Sequence, residues 1–543
     1  MEKRELNWHK SHCYTKEQLA IADIVLDEVQ GGRQALESIR AHPLQEGGYI
    51  AKHTLVHVYR QRVEDGRLEE DPVLLSRIRM KPIRSLSGVS TVTVLTKPYP
   101  CPGRCLFCPA DERLPKSYLK EEPGAARAFQ NRFDPYLQVT SRLESYAAIG
   151  HPTQKIELLI LGGSWSAYPK LYRQWFVQRC FDALNGTSSE NLQQAHTKNE
   201  SAVNRNVGLV IETRPDLITP HEIAFMRELG VTKVQIGAQS FNERILEENH
   251  RGHTVNETLT ATALLRAAGF KIVMHWMPNL LGATPSSDKK DFMHMWEDGF
   301  CPDEIKIYPT QLVKEAPLYK IWLEGGFTPY STDQLIDLIA SLKPSIPEYC
   351  RVNRIVRDIP SDYIVAGSQR SSLRQDIQQE LARRGQRCRC IRCREIRGKL
   401  VNPSSLRFSD LVYYPNDSEE HFLNFSTSDD RLAGYLRLSF PQPAASSIRE
   451  EKRELLYQLI PEIRDAALIR EVHIYGQSLE MGAEMPGVAQ HSGLGSQLLE
   501  KAEALSRQAG YKRLAVISAV GTRLYYESRG FSRGKLYMIK EIN

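Results

Sequence analysis

Six of the ten cysteines fall into two short groups, and the thiolate is a soft ligand suited to zinc or an iron–sulfur cluster. Cys101, Cys105 and Cys108 form CxxxCxxC within KPYPCPGRCLFCPAD, where Pro and Gly favour a turn over a helix. Cys388, Cys390 and Cys393 form CxCxxC within RCRCIRCRE. A structural zinc site normally closes with four ligands, usually from two separated knuckles, and three cysteines on one tight loop leave a position open. The first group therefore reads as an iron–sulfur cluster with a free coordination position, ahead of zinc. Cys13, Cys180, Cys301 and Cys350 are scattered and read as buried small hydrophobes.

A second kind of chemistry is written near the C-terminus. QHSGLGSQLLEKAEAL puts Gln490, Gly493, Leu494 and Gly495 at the opening of an amphipathic helix, where free backbone N–H groups and the helix dipole favour an anion. The same pattern alone also fits an ordinary glycine-rich helix entry. Tyr525 and Tyr526 in GTRLYYESRGF are equally readable as core aromatics or site residues.

Elements must position these groups. From about 90 to 345, short β-rich runs (KIELLILGG, VGLVIET, TKVQIGAQS, FKIVMHWMP, DEIKIYP) alternate with amphipathic stretches, the signature of βαβ units around a parallel sheet, open or closed into a barrel. In such folds chemistry sits at the C-terminal ends of the strands. Gly162 and Gly163 end one run, Glu212 and Arg214 the next, Gln239 and Ser240 the third. Residues 1–75 read as helical, with Thr15 and Gln18 spaced as a capping box. Residues 346–400 lose the alternation and become basic, and 401–543 read as a second, smaller α/β unit containing YLRLSF, ALIREVHIYG and RLAVISAV. The expected architecture is α/β with boundaries at 1–75, 76–345, 346–400 and 401–543.

At 543 residues, with 41% hydrophobic and 25% charged side chains, the chain is an ordinary globular protein of several domains, which excludes a fibrous or wholly disordered chain. No run approaches a membrane span, and MEKRELNWHKSHCY has no apolar signal region, so a cytoplasmic protein is expected. The net charge of +6 hides two basic tracts. Residues 72–110 carry Arg77, Arg79, Lys81, Arg84, Lys97 and Arg104 and no acid, and 370–399 carry ten basic residues against Asp376, Glu380 and Glu395. Each tract lies against a cysteine group, which favours a polyanionic partner over a merely solvated surface.

The first cysteine motif, with Phe107 before its last cysteine, resembles that of the radical S-adenosylmethionine (SAM) enzymes. That resemblance implies a partial TIM-type (βα) barrel in which Cys101, Cys105 and Cys108 hold a 4Fe-4S cluster. It further implies that Gly162, Gly163, Glu212, Arg214, Gln239 and Ser240 surround SAM. The C-terminal region is similar to GNAT acyltransferases, implying acetyl-CoA bound by Gln490, Gly493, Leu494 and Gly495, along Glu471, Val472 and His473, with Tyr525 at the thioester. Joined in this order, and with GHPTQKIELLILGGSW, NHRGHT, HWMPNLLG, RVNRIVRDIP and AVGTRLYYESRGF, the chain resembles the catalytic subunits of Elongator. That family implies acetyl-CoA- and SAM-dependent formation of 5-carboxymethyluridine at the tRNA wobble position. It implies a role for Lys155 toward acetyl-CoA, an external electron donor, and a structural zinc on Cys388, Cys390 and Cys393, in a linker before the GNAT unit; Lys306, near a strand end, is a further catalytic candidate. The fourth zinc ligand is open between Cys301, Cys350 and a histidine, and Lys306 is as readily a solvated lysine. Arg77, Arg79, Lys81 and Arg84 are the first candidates for the tRNA anticodon arm, followed by the arginines of 370–397. The competing reading is a protein lysine acetyltransferase with the barrel as a binding platform. Partner subunits or a second copy of the chain are left open.

Overall fold

The computed structural model describes residues 13–81, 85, 87–397, 401–442, 447–475 and 493–542. Arg84 and Gln490 lie outside the described residues. The chain begins with helices Lys16–Gln30, Ala35–Ala41, Lys52–Glu64 and Pro72–Ile78. The capping box forms: the Gln18 backbone N donates to Thr15 Oγ1 (3.1 Å) and the Thr15 N to Gln18 Oε1 (3.0 Å). Ala22, Val25, Leu26 and Val29 recur at helical spacing and meet Leu55, Val56, Tyr59 and Ile78 in a core separate from the rest of the molecule.

Nine strands follow: β1 (Ser90–Leu95), β2 (Lys155–Leu161), β3 (Arg205–Thr213), β4 (Lys233–Gln239), β5 (Lys271–Trp276), β6 (Glu304–Ile307), β7 (Leu312–Val313), β8 (Arg351–Ile355) and β9 (Ile364–Ala366). β1 to β6 and β8 pair in sequence order, every pair parallel, while β7 and β9 form a small antiparallel pair. β1 and β8 stand at opposite edges, so the sheet is a partial barrel. Helical crossovers such as Pro135–Ala148 and Val255–Ala267 make the parallel order possible and cover its outer face. The sheet corrects one boundary. β8 lies beyond residue 345, in the stretch where alternation is lost, because its inward residues Arg351 and Asn353 are polar and hide its apolar period.

The remaining strands are β10 (Arg407–Tyr413), β11 (Ser418–Ser426), β12 (Leu432–Pro441), β13 (Ala467–Ile474), β14 (Arg513–Val516), β15 (Ser532–Arg533) and β16 (Met538–Glu541). They form one sheet in the order β10-β11-β12-β13-β14-β16-β15, in which only β13 and β14 are parallel. β14 pairs with β13 only over Ala467–Ile469, whereas β12 follows β13 out to Ile474. The two strands splay beyond Ile469, and one edge of β13 from Glu471 to His473 has no strand partner among the described residues.

This second sheet docks on the N-terminal ends of the barrel strands. Asp303, just before β6, pairs with Arg470 and with Arg437 (3.2 Å). Tyr537 donates to the Ala268 carbonyl (2.6 Å), and Arg227 to the carbonyls of Ser518 (3.3 Å) and Leu536 (2.7 Å). One hydrophobic core is continuous across both sheets, from Val92 to Ile542.

Candidate functional site

The first cysteine group lies on the loop after β1, at the C-terminal end of the barrel strands. The Arg251 Nη1 donates to Cys105 Sγ (3.3 Å), Ser164 Oγ lies 3.6 Å from Cys101 Sγ, and the Gly103 N donates to Cys101 Sγ (3.4 Å). Around the loop, buried polar atoms lack a hydrogen-bond partner among the described residues: Arg214 Nη1, Arg251 Nε, Gln239 Oε1 and both ring nitrogens of His253. Such a concentration of unsatisfied groups needs a polar ligand to complete it. Gly163 (φ 71°) has only the Lys116 carbonyl within 4 Å of where a Cβ would stand, so a side chain there would fill open space beside the loop. At Gly162 a Cβ would fall 2.0 Å from Thr96 Oγ1, which makes glycine obligatory for packing rather than for a ligand.

Sulfur spacing separates the two cysteine groups. A tetrahedral zinc with bonds of about 2.3 Å holds its sulfurs about 3.8 Å apart. Cys388, Cys390 and Cys393 place all three sulfurs within 4.8 Å of one another, which fits a single ion. Among the described residues, Cys101, Cys105 and Cys108 do not form such a single-ion group. Lys343, fully buried and with no hydrogen-bond partner for its Nζ among the described residues, is a positive charge that favours the thiolates of the second group. Among the described residues, neither Cys301, Cys350 nor a histidine joins that group as a fourth ligand.

A cavity of about 1890 Å³ occupies the inside of the partial barrel. Its wall alternates along each strand: on β2 Ile156, Leu158 and Ile160 are buried outward against helices, while Lys155, Glu157, Leu159 and Leu161 face inward. Midway along it Gln235 Oε1 accepts from Lys306 Nζ and from His275 Nε2 (3.0 Å). Lysine only donates, so the amide oxygen must face it, which puts the His275 proton on Nε2 and leaves Nδ1 bare. That nitrogen faces Glu212 Oε1 at 3.6 Å. Burial raises the Glu212 carboxyl above its ordinary value, only partly offset by Lys306 and Arg357.

Burial, then Lys306 and Arg251, push His275 well below the ordinary histidine value, and burial with Arg523 and Arg227 brings His196 to about 3. Both rings are neutral when folded and protonate on unfolding. The stability this neutrality allows is present above pH 6.5 and lost as pH falls below it, by roughly 2 kcal/mol per ring at pH 5. Urea titrations at pH 7 and pH 5 check this: stability should fall steeply, and a flat profile would rule it out.

The same cavity reaches the second sheet, where it is lined by Glu471, Val472, His473, Gly493, Gly495 and Tyr525. Gly493 (φ 72°) is the N-cap of helix Leu494–Gln508, and a Cβ on Gly495 would lie 2.9 Å from Tyr525 Oη. Tyr525 is held by the Arg529 guanidinium, 3.6 Å over its ring. Leu494 is buried in the core and offers its backbone rather than its side chain. Burial opposes ionisation of Glu471, but Lys271 and Arg437 bring its carboxyl down to about 2, so this side chain is engaged in the interface. Burial lowers the adjacent His473 to about 4.

Residues 99–290 match the Radical SAM superfamily and residues 302–383 the Radical_SAM C-terminal domain. The chain is 40% identical to the tRNA uridine(34) acetyltransferase of Dehalococcoides mccartyi, over 85% of this chain and 99% of that protein. It is 31% identical to human Elongator complex protein 3 over 96% of each. The chain belongs to the Elongator complex protein 3 family. The solved structure of the archaeal Methanocaldococcus infernus Elp3, with its N-terminus deleted, superposes with a TM-score of 0.71 at 34% identity, covering 84% of this chain and 99% of that one.

In this member of the Elongator complex protein 3 family, Lys155, Lys306, Glu212, Gln239 and Tyr525 line one cavity. Three other residues are otherwise engaged. Ser240 is buried and donates to Asp291 Oδ1 (3.0 Å). Arg214 is tied to Asp216 and the Gly252 carbonyl (3.2 Å), with its Nη1 against Gly103. Arg79 donates to the Gly150 carbonyl (2.6 Å) and Ser85 Oγ (3.2 Å), clamping the N-terminal helices to the barrel, which removes it from the nucleic-acid candidates. Arg77 is half-buried and donates to the Arg33 carbonyl (3.2 Å), leaving Lys81 exposed. The second basic tract is similarly thinned: Arg383 and Arg384 pair with Glu380, and Arg389 and Arg394 with Glu348 and Asp430. Gln235, His275 and Arg251 were missed because a polar residue inside an apolar strand carries no spacing signal. Arg354, Arg357, Arg374, Arg392 and Arg397 line the cavity on its β8 side and Arg127 and Arg142 on its β1 side, so both edges of the open barrel are basic.

Gly103 gives a sharp prediction. A Cβ there would lie 2.4 Å from Arg214 Nη1, which its bonds to Asp216 and Gly252 hold in place. Gly103→Ala should displace the cysteine loop and lower iron and sulfide content after anaerobic reconstitution by about half or more. Full iron loading would contradict it.

Proposed function

We propose that this chain modifies the wobble uridine of tRNA, using SAM and acetyl-CoA to form 5-carboxymethyluridine. The observation that carries the reading is the single cavity that joins the cysteine end of the barrel, the β13 edge with its glycine helix entry, and two basic edges. When bound at Cys101, Cys105 and Cys108, a 4Fe-4S cluster with SAM supplies the radical chemistry that an inert acetyl methyl and uridine C5 require.

The remaining tasks fall to the chain's own side chains and backbone. The edge of β13 from Glu471 to His473, which has no strand partner among the described residues, suits the amides of a pantetheine arm in the manner of an added strand, and the helix entry at Gly493 suits its pyrophosphate. This supports a GNAT-type assignment for the second sheet. Lys306 and the proton on His275 Nε2 are the cavity donors placed to hold the acetyl carbonyl oxygen, and later the carboxylate, once a ligand replaces the Gln235 acceptor. Tyr525 lies over the helix entry, where its hydroxyl can reach a thioester or departing thiol. Lys155 lies at the start of β2, on the side of the second sheet. The basic edges, with exposed Lys81, suit a phosphate backbone, and an anticodon loop presents its bases already unpaired. Cys388, Cys390 and Cys393 suit a structural zinc in the linker between the sheets. The cytoplasm is the proposed location; no helix among the described residues is long and apolar enough to cross a membrane.

The test is anaerobic incubation of reconstituted protein with tRNA, SAM, a reductant and acetyl-CoA, followed by nucleoside mass spectrometry. A carboxymethylated uridine at the wobble position is the expected product. A cluster-loaded protein that yields no new uridine derivative would overturn the reading.

A further inference from the structure

The two ends of this site are far apart. The cysteine loop, Gly163 and Gln239 sit at the C-terminal ends of the strands, whereas Tyr525, Gly493 and the β13 edge face their N-terminal ends. β3 alone has 9 residues, and at about 3.3 Å each it separates the ends by roughly 26 Å. An acyl group held beside Tyr525 is therefore out of reach of chemistry at the cysteine loop unless it travels.

Barrel interiors are ordinarily filled by layers of branched apolar side chains. This one is hollow, and its inward wall holds small or polar groups such as Thr91, Thr93, Gly208 and Gln235. A volume of about 1890 Å³ exceeds the few hundred to about 1,000 Å³ that one small ligand occupies. Beside the cavity, the two sheets are packed together through buried groups around Asp303, Arg437 and Tyr537.

Gly208 supplies an independent observation. A glycine inside a strand is destabilising and marks a bulge or the close approach of a ligand. The β2–β3 register shifts beside it, between Ile156 and Glu157, yet neither crowding nor backbone conformation demands glycine here. A Cβ would meet Glu157 Cγ at 3.4 Å and Thr232 Oγ1 at 3.9 Å, ordinary contacts, and φ is not positive. What the missing side chain keeps free is the interior of the barrel, near its second-sheet end.

We propose that the barrel lumen is an internal passage, kept open at Gly208, through which an acyl thioester on its pantetheine arm reaches the cysteine end from the second sheet. This deepens the function proposed above and rests on it. Lys306 and Gln235 lie further along the same passage and meet the acyl carbonyl on arrival.

The test plugs the passage at two positions. Gly208→Leu on β3 and Thr93→Phe on β1 both point into the lumen, with Gly208→Ala as the tolerated control. Three quantities are measured on each reconstituted protein: reductive SAM cleavage without acetyl-CoA, CoA binding, and carboxymethylated uridine. Both plugs should lower uridine modification by about 100-fold while SAM cleavage and CoA affinity stay within about threefold of wild type, and Gly208→Ala should behave as wild type. Modification within about threefold of wild type in either plugged protein overturns the passage. So does an equal fall of SAM cleavage and modification in both. Failure of the wild-type protein itself to modify uridine would instead overturn the underlying function, so the two failures are distinguishable.

Discussion

Cys105→Ser should abolish uridine modification, by at least about a thousandfold, because no side chain can supply the missing radical chemistry. Cys105 is buried, its sulfur already accepts from Arg251, and Leu106 beside it is tied by its backbone to Asn249 and Leu318. Serine fits the space but offers a hard oxygen in place of a soft thiolate, so the cluster is lost while the loop is kept. CoA binding, which depends on β13 and the helix entry at the other end of the barrel, should be unchanged. That split decides between the two readings of the sequence. A protein acetyltransferase using the barrel as a platform would keep its product formation in Cys105→Ser. Loss of SAM cleavage and uridine product with retained CoA affinity, measured on one preparation, is the outcome expected here.

Asp303→Ala should cost about 3–5 kcal/mol of stability. Asp303 is fully buried, and its carboxylate meets Arg470 and Arg437 while accepting from the Ile272 N (2.8 Å) at the start of β5. Removing it strands two buried guanidinium groups at the junction of the sheets. Glu471 and Glu420 each hold one of those arginines as well, so the loss should fall short of complete unfolding. Burial opposes ionisation of Asp303, but Arg470, Arg437 and Arg266 outweigh it and hold the carboxyl below the ordinary range. The sign follows: this stabilisation is fully present above about pH 4 and is lost as pH falls through the lower folded value. The variant should therefore unfold at lower urea than wild type at pH 7, with the difference shrinking only in strong acid. An unchanged midpoint at pH 7 would refute the assignment.

The sequence was most legible where chemistry and periodicity coincide. The CxxxCxxC loop follows a strand, Gly162 and Gly163 end the next one, and the five β-rich runs became the five neighbouring parallel strands β2 to β6. Legibility failed where polar side chains face a cavity. Arg351 and Asn353 disguised β8, and Gln235 and His275 are unremarkable letters until β4 and β5 bring them together across 40 residues. The junction was invisible for a related reason: Asp303 and Arg470 are 167 residues apart, and nothing local marks either as half of a pair. Basic tracts misled in part. Charge density along the chain cannot show that Glu380, Glu348 and Asp430 pair with part of one tract, or that Arg79 is a clamp. The basic edges of the cavity draw on arginines from 127 to 397, a surface only the fold assembles.

In the proposed reaction the acetyl methyl reaches the cysteine end of the barrel and gives up a hydrogen atom there. Acetyl-CoA carrying a trideuterated methyl tests it directly, with tRNA, SAM and reductant under anaerobic conditions. The account predicts one deuterium in the 5′-deoxyadenosine formed and two in the methylene of the carboxymethyluridine. Modified uridine accompanied by 5′-deoxyadenosine without deuterium would contradict it.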